Sequence, residues 1–439
     1  MKQRRHCLLS LDGLARADFE SLLTHLPKSR KYFRAFESID FESPSFTTAQ
    51  PLWAEILTGK PWYQNGCVGY AQPQTSLNKL LAFSEKNLSV AASFIKPIEG
   101  SKAIIVNTPL LLPDIASRIW LSDGSLPINK LVSPKTLLET KPFSDYKPRP
   151  FIDIASALVS TRETSENIIN IEKSRIESTF ELLKTDWSTF ICRFTAFDHL
   201  AHVLGKDFLE SPDLEIFPLL KSLMESLDEF FQYVLSLADV EIFVLSAFSH
   251  QTCRSTLNLN KVLEDAKFLS AKPSIFSEEE DSHRRAAVSL VRNVGSRKDL
   301  SSSYEGRIDT AHTVAASPVS GCVYINSQGK FDDGLVEQTA YQETRSVVGA
   351  YLTNTLTSRY GARATVKQNP VADLYDVPLP EFVVRIDGVE FDNMYENGMR
   401  DYDLPRTTHC SKGFVMMPSA IAKSTKIEPW QIKDLMYAR

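Results

Sequence analysis

The feature that most constrains the fold is a set of short apolar runs that alternate with long amphipathic segments. The runs at 103–106 (AIIV), 187–194 (WSTFICRF) and 241–245 (EIFVL) have the length and the β-branched and aromatic content of buried strands. Segments 161–183 and 214–237 carry apolar residues at helical spacing. Strands that alternate with helices are typical of βαβ units. The sequence therefore predicts an α/β fold with a mainly parallel central sheet flanked by helices.

The same patterns predict further elements on both sides of these runs. We expect strands at 7–11, 321–325, 382–386 and 413–417, and helices at 17–25, 51–57, 77–84 and 429–437. The helix at 51–57 would carry a proline in its first turn, where the missing backbone N–H costs nothing.

The composition of the chain changes beyond about residue 252. The acidic run EEED at 278–281 is followed by the basic triplet HRR at 283–285, and segment 293–306 is polar. Charge runs of this kind are typical of a solvated surface. We therefore expect residues 257–400 to form an inserted cap or lid subdomain. Residues 1–256 and 401–439 would together form the α/β core.

Charge and cysteine usage exclude several classes of protein. The 49 basic and 54 acidic residues give a net charge of −5 without a basic block, which argues against a dedicated nucleic-acid binder. No apolar run is long enough to span a membrane, and the first one is too short for a signal peptide. The six cysteines form no CxxC pair, so we expect reduced thiols and a cytoplasmic location.

Polar side chains with metal-binding capacity lie at the ends of several predicted strands. Asp12 directly follows the first strand, and His409 precedes the last one. Asp198 and His202 follow the strand at 187–194 and are one helical turn apart, so both can point at one spot. Imidazole and carboxylate ligands are typical of hydrolytic zinc sites, and open α/β sheets hold their ligands beyond the strand ends. The pattern predicts a divalent-metal site; the alternative is a hydrogen-bonded polar cluster.

Two hydroxyl side chains, Thr47 and Thr48, lie just before the predicted helix at 51–57. The positive field and the free N–H groups of a helix N-terminus favour an anion, or a hydroxyl that must become an alkoxide. A threonine here is therefore a candidate nucleophile; the alternative is a helix cap.

In their order and spacing, these segments resemble the alkaline phosphatase superfamily, most closely its type I phosphodiesterase/nucleotide pyrophosphatase branch. LLSLDGL at 8–14 is similar to the opening strand with its metal-binding aspartate, and FDHLAHVLG at 197–205 matches the D-x-x-x-H-x-x-G metal motif. SPSFTTAQPLWAEILTGKPWYQNG at 43–66 resembles the nucleophile loop and its helix, and TTHCSKGFVMMPS at 407–419 resembles the segment with the last metal histidine.

The resemblance implies a two-metal hydrolase whose cations are usually zinc, with manganese as an alternative. Asp198, His202 and His409 would hold one ion. Asp12 and the hydroxyl of Thr47 or Thr48 would belong to the second site.

The chain departs from the pattern of this branch at residues 246–250, which read SAFSH where the branch has Ser-Asp-His-Gly. Aligned without a gap, the two ligands of the second site become Ala247 and Phe248. Shifted by two positions, they become Ser249 and His250, and one imidazole survives. The sequence therefore predicts one or two metal ions, with His250 as a candidate ligand.

The resulting functional hypothesis is a metal-dependent hydrolase of phosphodiester or phosphate/sulfate monoester bonds with a threonine nucleophile. Its substrate would be a small phosphorylated or sulfated molecule, nucleotide-like if the resemblance extends that far. Two alternatives stay open: a catalytically degenerate member that acts as a binding or regulatory subunit, and a one-metal transferase.

Overall fold

The computed structural model describes residues 4–43, 48–69, 71–82, 102–109, 118–122, 132–146, 160–272, 307–371, 378–391, 399–422 and 426–437. The strands in these ranges are β1 (Arg5–Leu11), β2 (Phe36–Glu42), β3 (Ala71–Pro73), β4 (Leu80–Ala82), β5 (Ala103–Thr108), β6 (Arg118–Ser122), β7 (Val132–Ser133), β8 (Thr189–Phe194), β9 (Val240–Ser246), β10 (Ser249–Leu257), β11 (Ala315–Val319), β12 (Cys322–Ile325), β13 (Ala364–Gln368), β14 (Phe382–Ile386), β15 (Val389–Phe391), β16 (Met399–Cys410) and β17 (Lys412–Pro418). The α-helices are α1 (Arg16–Thr24), α2 (Arg30–Phe33), α3 (Ala49–Thr58), α4 (Trp62–Asn65), α5 (Thr161–Leu183), α6 (Ala196–Leu204), α7 (Phe217–Leu235), α8 (Leu259–Asp265), α9 (Tyr341–Tyr360) and α10 (Gln431–Tyr437). None of these helices is long and apolar enough to cross a membrane.

The central sheet has eight strands in the order β2-β17-β9-β1-β8-β5-β6-β7. Strand β1 pairs in parallel with β8 and β9, and β5 pairs in parallel with β8 and β6. Strand β17 runs antiparallel to its neighbours β2 and β9, and β7 runs antiparallel to β6. The mainly parallel sheet predicted from the sequence is confirmed. The carboxyl ends of β1, β8 and β9 consequently meet at one edge.

The inner strands β1, β5 and β8 of this sheet are buried on both faces, which explains why they read as continuous apolar runs. On β1, Leu9 belongs to the apolar cluster formed with α1, α5, α6 and α7. Its neighbour Leu8 belongs to a second cluster, with α3 and α10 on the opposite face. Successive side chains of a strand point to opposite faces, so β1 is covered by helices on both sides.

A third apolar cluster lies largely within residues 257–400. It contains the four-stranded antiparallel sheet β11-β12-β14-β13 and helix α9. Trp62, Val68 and Leu77 from the first part of the chain also belong to it. The acidic run at 278–281 lies outside the described residues. The domain boundaries at 256/257 and 400/401 stay a prediction.

The predicted helix at 77–84 is wrong in its described part. Residues 80–82 form β4, which pairs antiparallel with β3. The backbone N–H of Gln74 donates to the carbonyl of Lys79 across 3.2 Å and closes this hairpin. Leu77 is buried in the third cluster, so its apolar character comes from tertiary packing and not from a helical face. Residues 83 and 84 lie outside the described range.

Candidate metal centre

Helix α6 presents two of the predicted ligands from the end of β8. Asp198 and His202 lie one turn apart on this helix, whose N-cap residue is Thr195. The start of the helix is held by a buried ion pair of α5. There Glu172 accepts from the backbone N–H of Thr195 at 2.7 Å, and Arg175 donates to the Thr195 hydroxyl at 2.8 Å. Both members of the pair are 2% exposed, so the position of α6 is set from inside the core.

The other two imidazoles come from the antiparallel ribbon formed by β10 and β16. His250 and His409 are directly opposite each other in its register. Directly opposite residues of an antiparallel pair project from the same face with their Cβ atoms about 5 Å apart. The ribbon therefore brings together two histidines that are 159 positions apart in the chain.

Four ligand atoms converge between the ribbon and α6. The Nε2 atoms of His409 and His250 lie 3.0 and 3.1 Å from Oδ1 of Asp198, and Nε2 of His202 lies 3.4 Å from it. The Nε2 atoms of His202 and His409 are 2.9 Å apart, and all four atoms fall within 4.8 Å of one another. Ligands of a tetrahedral zinc ion, at about 2.0–2.1 Å from the metal, are about 3.3 Å from each other. The four separations of 2.9–3.4 Å are close to this value, so these side chains form a candidate zinc-binding set among the described residues.

Backbone carbonyls orient two of these rings. Nδ1 of His202 lies 3.1 Å from the carbonyl of Thr407, and Nδ1 of His250 lies 2.8 Å from the carbonyl of Gly13. A carbonyl only accepts, so Nδ1 carries a proton in both rings and Nε2 is the atom that faces the cluster. Nε2 of His250 is buried without a hydrogen-bond partner, and its side chain is only 2% exposed. A buried ring nitrogen that faces a carboxylate and two imidazoles in this way fits a bound cation.

Gly13 lets the turn after β1 approach this cluster. Its φ is +94°, and a Cβ there would lie 2.6 Å from the Asp198 Cα and 2.8 Å from the His250 Cε1. Gly205, at the end of α6, has the same φ but no atom within 4 Å of its would-be Cβ. At position 13, therefore, both the backbone conformation and the available space require glycine.

The charges in the cluster suit a metal ligand set. Burial disfavours the ionised form of Asp198, but the surrounding imidazoles outweigh it and hold the pKa of the carboxyl well below its usual range. Burial, together with the two neighbouring imidazoles, lowers the pKa of His409 although Asp198 opposes this. Burial also disfavours protonation of His202, but the interaction of this imidazole with Asp198 outweighs the effect of burial and raises the pKa of His202. An ionised Asp198 and a neutral His409 are the forms that bind a metal, whereas a metal at His202 would have to displace a proton.

Asp12 is not part of this group of four. It is fully buried at the end of β1, where its carboxylate forms an ion pair with Arg193 of β8. Trp53 of α3 also donates to it, at 2.8 Å. Sequence reasoning missed Arg193, although a lone arginine in the apolar run WSTFICRF signals a buried partner.

In the ungapped alignment, the two ligand positions after β9 are taken by Ala247 and Phe248. Both of these apolar residues are fully buried. The Phe248 ring packs on the His409 ring with a centroid distance of 4.3 Å. Of the residues considered for this segment, His250 is the one that joins the cluster.

Of the two candidate nucleophiles, Thr47 lies outside the described residues. Thr48 is exposed at the N-cap of α3, and its side chain makes no capping hydrogen bond. Helix α3 is anchored beside the cluster by the bond from Trp53 to Asp12, the residue that precedes Gly13.

Comparison with solved structures identifies the fold. The chain is similar to phosphonoacetate hydrolase from Sinorhizobium meliloti 1021 in complex with phosphonoformate, with a TM-score of 0.58 and 12% identity over 100% of this chain and 95% of that one. The complex of the same enzyme with phosphonoacetate gives a TM-score of 0.56 at 12% identity and the same coverage. The chain has an alkaline phosphatase-like fold.

This finding confirms the fold that the sequence resemblance implied. A more distant match is wild type alkaline phosphatase PafA, with a TM-score of 0.49 and 12% identity over 100% of this chain and 96% of that one. No protein-family model and no curated protein sequence matches the chain. At this level of identity the likeness concerns the fold, and the chemistry has to be argued from the site.

Proposed function

We propose that this chain is a divalent-metal-dependent hydrolase of phosphodiester or phosphate/sulfate monoester bonds in a small substrate, nucleotide-like by the sequence resemblance. The observation that carries the proposal is the convergence of Asp198, His202, His250 and His409 beyond the carboxyl ends of the central strands. Three imidazoles and one carboxylate favour zinc, with manganese as the alternative. A bound ion of this kind would polarise the ester and stabilise its developing negative charge.

The residues of the chain would supply a nucleophile and an anion site. The Thr48 hydroxyl is exposed at the N-terminus of α3 and is not used for capping, so it is free to attack phosphorus or sulfur. The first backbone N–H groups of α3 would hold the anionic group of the substrate. Thr47 is the alternative nucleophile.

Two further features accompany this proposal. All six cysteines are free and buried, which supports a reducing, cytoplasmic environment. We also propose that residues 257–400 act as the cap that selects the substrate.

The test is metal-dependent hydrolysis of a panel of p-nitrophenyl esters: the bis-ester of phosphate, the phosphate monoester and the sulfate monoester. We expect turnover of at least one of them with added Zn²⁺ or Mn²⁺, loss of activity with a chelator, and loss in His202→Ala and His409→Ala. His312→Ala is the matched control, because this imidazole is exposed and far from the cluster in the sequence. Metal binding without turnover of any ester would favour the binding-subunit alternative. Unchanged activity in His409→Ala would refute the proposal.

A further inference from the structure

The alkaline phosphatase-like fold raises the question of whether a second metal ion fits beside Asp12. We infer that it does not, and that the centre is mononuclear, with the buried guanidinium of Arg193 in the place of a second cation. This inference rests on the proposed metal centre and deepens it.

All acceptor sites of the Asp12 carboxylate are occupied by hydrogen-bond donors. Its Oδ1 accepts from the Ser10 hydroxyl at 2.5 Å and from the backbone N–H of Ala247 at 3.1 Å. Its Oδ2 accepts from the Trp53 indole N–H at 2.8 Å and from Nε of Arg193. A carboxylate offers about four acceptor sites, and these four donors use all of them.

The charge at this position is already balanced. The Asp12 side chain is fully buried and that of Arg193 is 6% exposed, so the pair is shielded from solvent. The pairing is fixed by the sheet, since Arg193 lies opposite Ser10 in the register of β1 and β8. A divalent ion placed on the same carboxylate would meet the guanidinium at close range in a poorly screened environment and be repelled by it.

The rest of a second ligand set is also absent from the described residues around Asp12. Ala247 and Phe248 bring no ligand atom, and both are fully buried. His250 has turned its Nε2 toward Asp198, while its Nδ1 is engaged by the carbonyl of Gly13. The imidazole that could have served a second ion thus completes the first site.

Arg193 is therefore a positioning residue and not a catalytic one. It forms the ion pair with Asp12, and Asp12 in turn accepts from Trp53 and anchors α3, the helix whose N-cap residue is Thr48. The guanidinium is a built-in cation that cannot dissociate, whereas a second metal ion would exchange with solvent.

The decisive measurement is the metal content of the intact wild-type chain after saturation with Zn²⁺ and removal of the excess. It is determined by elemental analysis and by titration against a chromophoric chelator. We expect about one ion per chain, lost in His202→Ala. Two tightly bound ions would overturn the mononuclear inference while leaving the metal-dependent hydrolase standing. No bound ion would remove the metal centre itself, and both proposals with it.

A paired variant locates the ion. Asp12→Asn combined with Arg193→Gln removes both charges together, which avoids leaving one buried charge unpaired. We expect this double variant to retain about one zinc ion per chain, with an unchanged far-UV circular dichroism spectrum. A folded double variant that loses an ion would show that Asp12 is a ligand. If the variant does not fold, the wild-type stoichiometry decides alone.

Discussion

Glu55 of α3 should make the stability of this protein fall as the pH rises. The side chain is buried, its Oε1 accepts from the backbone N–H of Trp62 at 2.9 Å, and its Oε2 has no hydrogen-bond partner. Burial raises the pKa of the carboxyl to about 8, although the bond from Trp62 and the charge of Lys367 act against the shift. The group is therefore protonated in the folded protein at neutral pH.

The size of the effect follows from proton linkage. In the unfolded chain the pKa of a glutamate is about 4.3, so between that value and about 8 the unfolded state loses a proton that the folded state keeps. The contribution of Glu55 to stability is fully present below the pKa of the unfolded state and is lost as the pH rises toward the pKa of the folded state. At about 1.4 kcal/mol per unit, Glu55 alone should lower the free energy of unfolding by about 4 kcal/mol between pH 4.3 and 7. The total reaches about 5 kcal/mol near pH 8, beyond which the contribution is constant.

Glu55→Gln removes the titration while keeping an oxygen for the Trp62 N–H. Urea unfolding of wild type and variant between pH 4.5 and 8.5 measures the consequence. We expect nearly equal stability at pH 4.5 and a variant that is more stable by several kcal/mol at pH 8.5. Glu337→Gln, at an exposed position, is the control and should show a small difference at every pH.

The decisive observation is how the stability difference between Glu55→Gln and wild type changes with pH, and not its sign at one pH. A difference between Glu55→Gln and wild type that stays constant from pH 4.5 to 8.5 would refute it. In that case Glu55 would be ionised in the folded state, with its charge balanced by Lys367 or by water.

Three further substitutions test the site. Gly13→Ala should weaken zinc binding and lower the free energy of unfolding by at least about 3 kcal/mol. Gly205→Ala, which has the same φ but open space around it, should lower the free energy of unfolding by about 1 kcal/mol. Thermal unfolding and zinc titration compare the two variants. Thr48→Val should change the free energy of unfolding by less than about 0.5 kcal/mol but lower kcat by about 10³-fold or more. Thr48→Ser should restore activity. Comparable kcat values in the two variants would exclude this hydroxyl as the nucleophile. Glu172→Gln should cost about 3–5 kcal/mol in urea unfolding because the buried charge of Arg175 loses its carboxylate partner. Glu181→Gln, in an exposed pair, should cost less than about 1 kcal/mol.

The parts of this fold that could be predicted from the sequence are those whose signal is local. Strands β1, β8 and β9 are buried on both faces and therefore read as continuous apolar runs. The pairing of Asp198 with His202 needs only the geometry of one helical turn. Helix α5 was predicted with its bounds as observed, because its apolar residues repeat at helical spacing over many turns.

The β10–β16 ribbon was not predicted, because its signal is not local. Strand β10 reads SHQTCRSTL, with polar side chains on both faces, and β16 is similarly polar. What makes them strands is their mutual pairing, and what places His250 opposite His409 is a register set over a long sequence separation. The sequence could propose His250 as a ligand only through an alignment with a two-residue shift, and the geometry was needed to place it beside Asp198.

Asp12 is a strand-end aspartate that resembles a metal ligand in sequence and forms an ion pair with Arg193 in the structure. The sheet edge collects polar side chains from β1, β8 and β9, and each must find a partner because the edge is buried. Whether that partner is an ion or a side chain depends on what the neighbouring strand supplies. Here β8 supplies Arg193 opposite Ser10, close enough to reach Asp12, while the segment after β9 supplies alanine and phenylalanine. The same edge therefore assembles the four side chains of the candidate metal centre and, at Asp12, a buried ion pair, and the residues that β8 and the segment after β9 supply account for this difference.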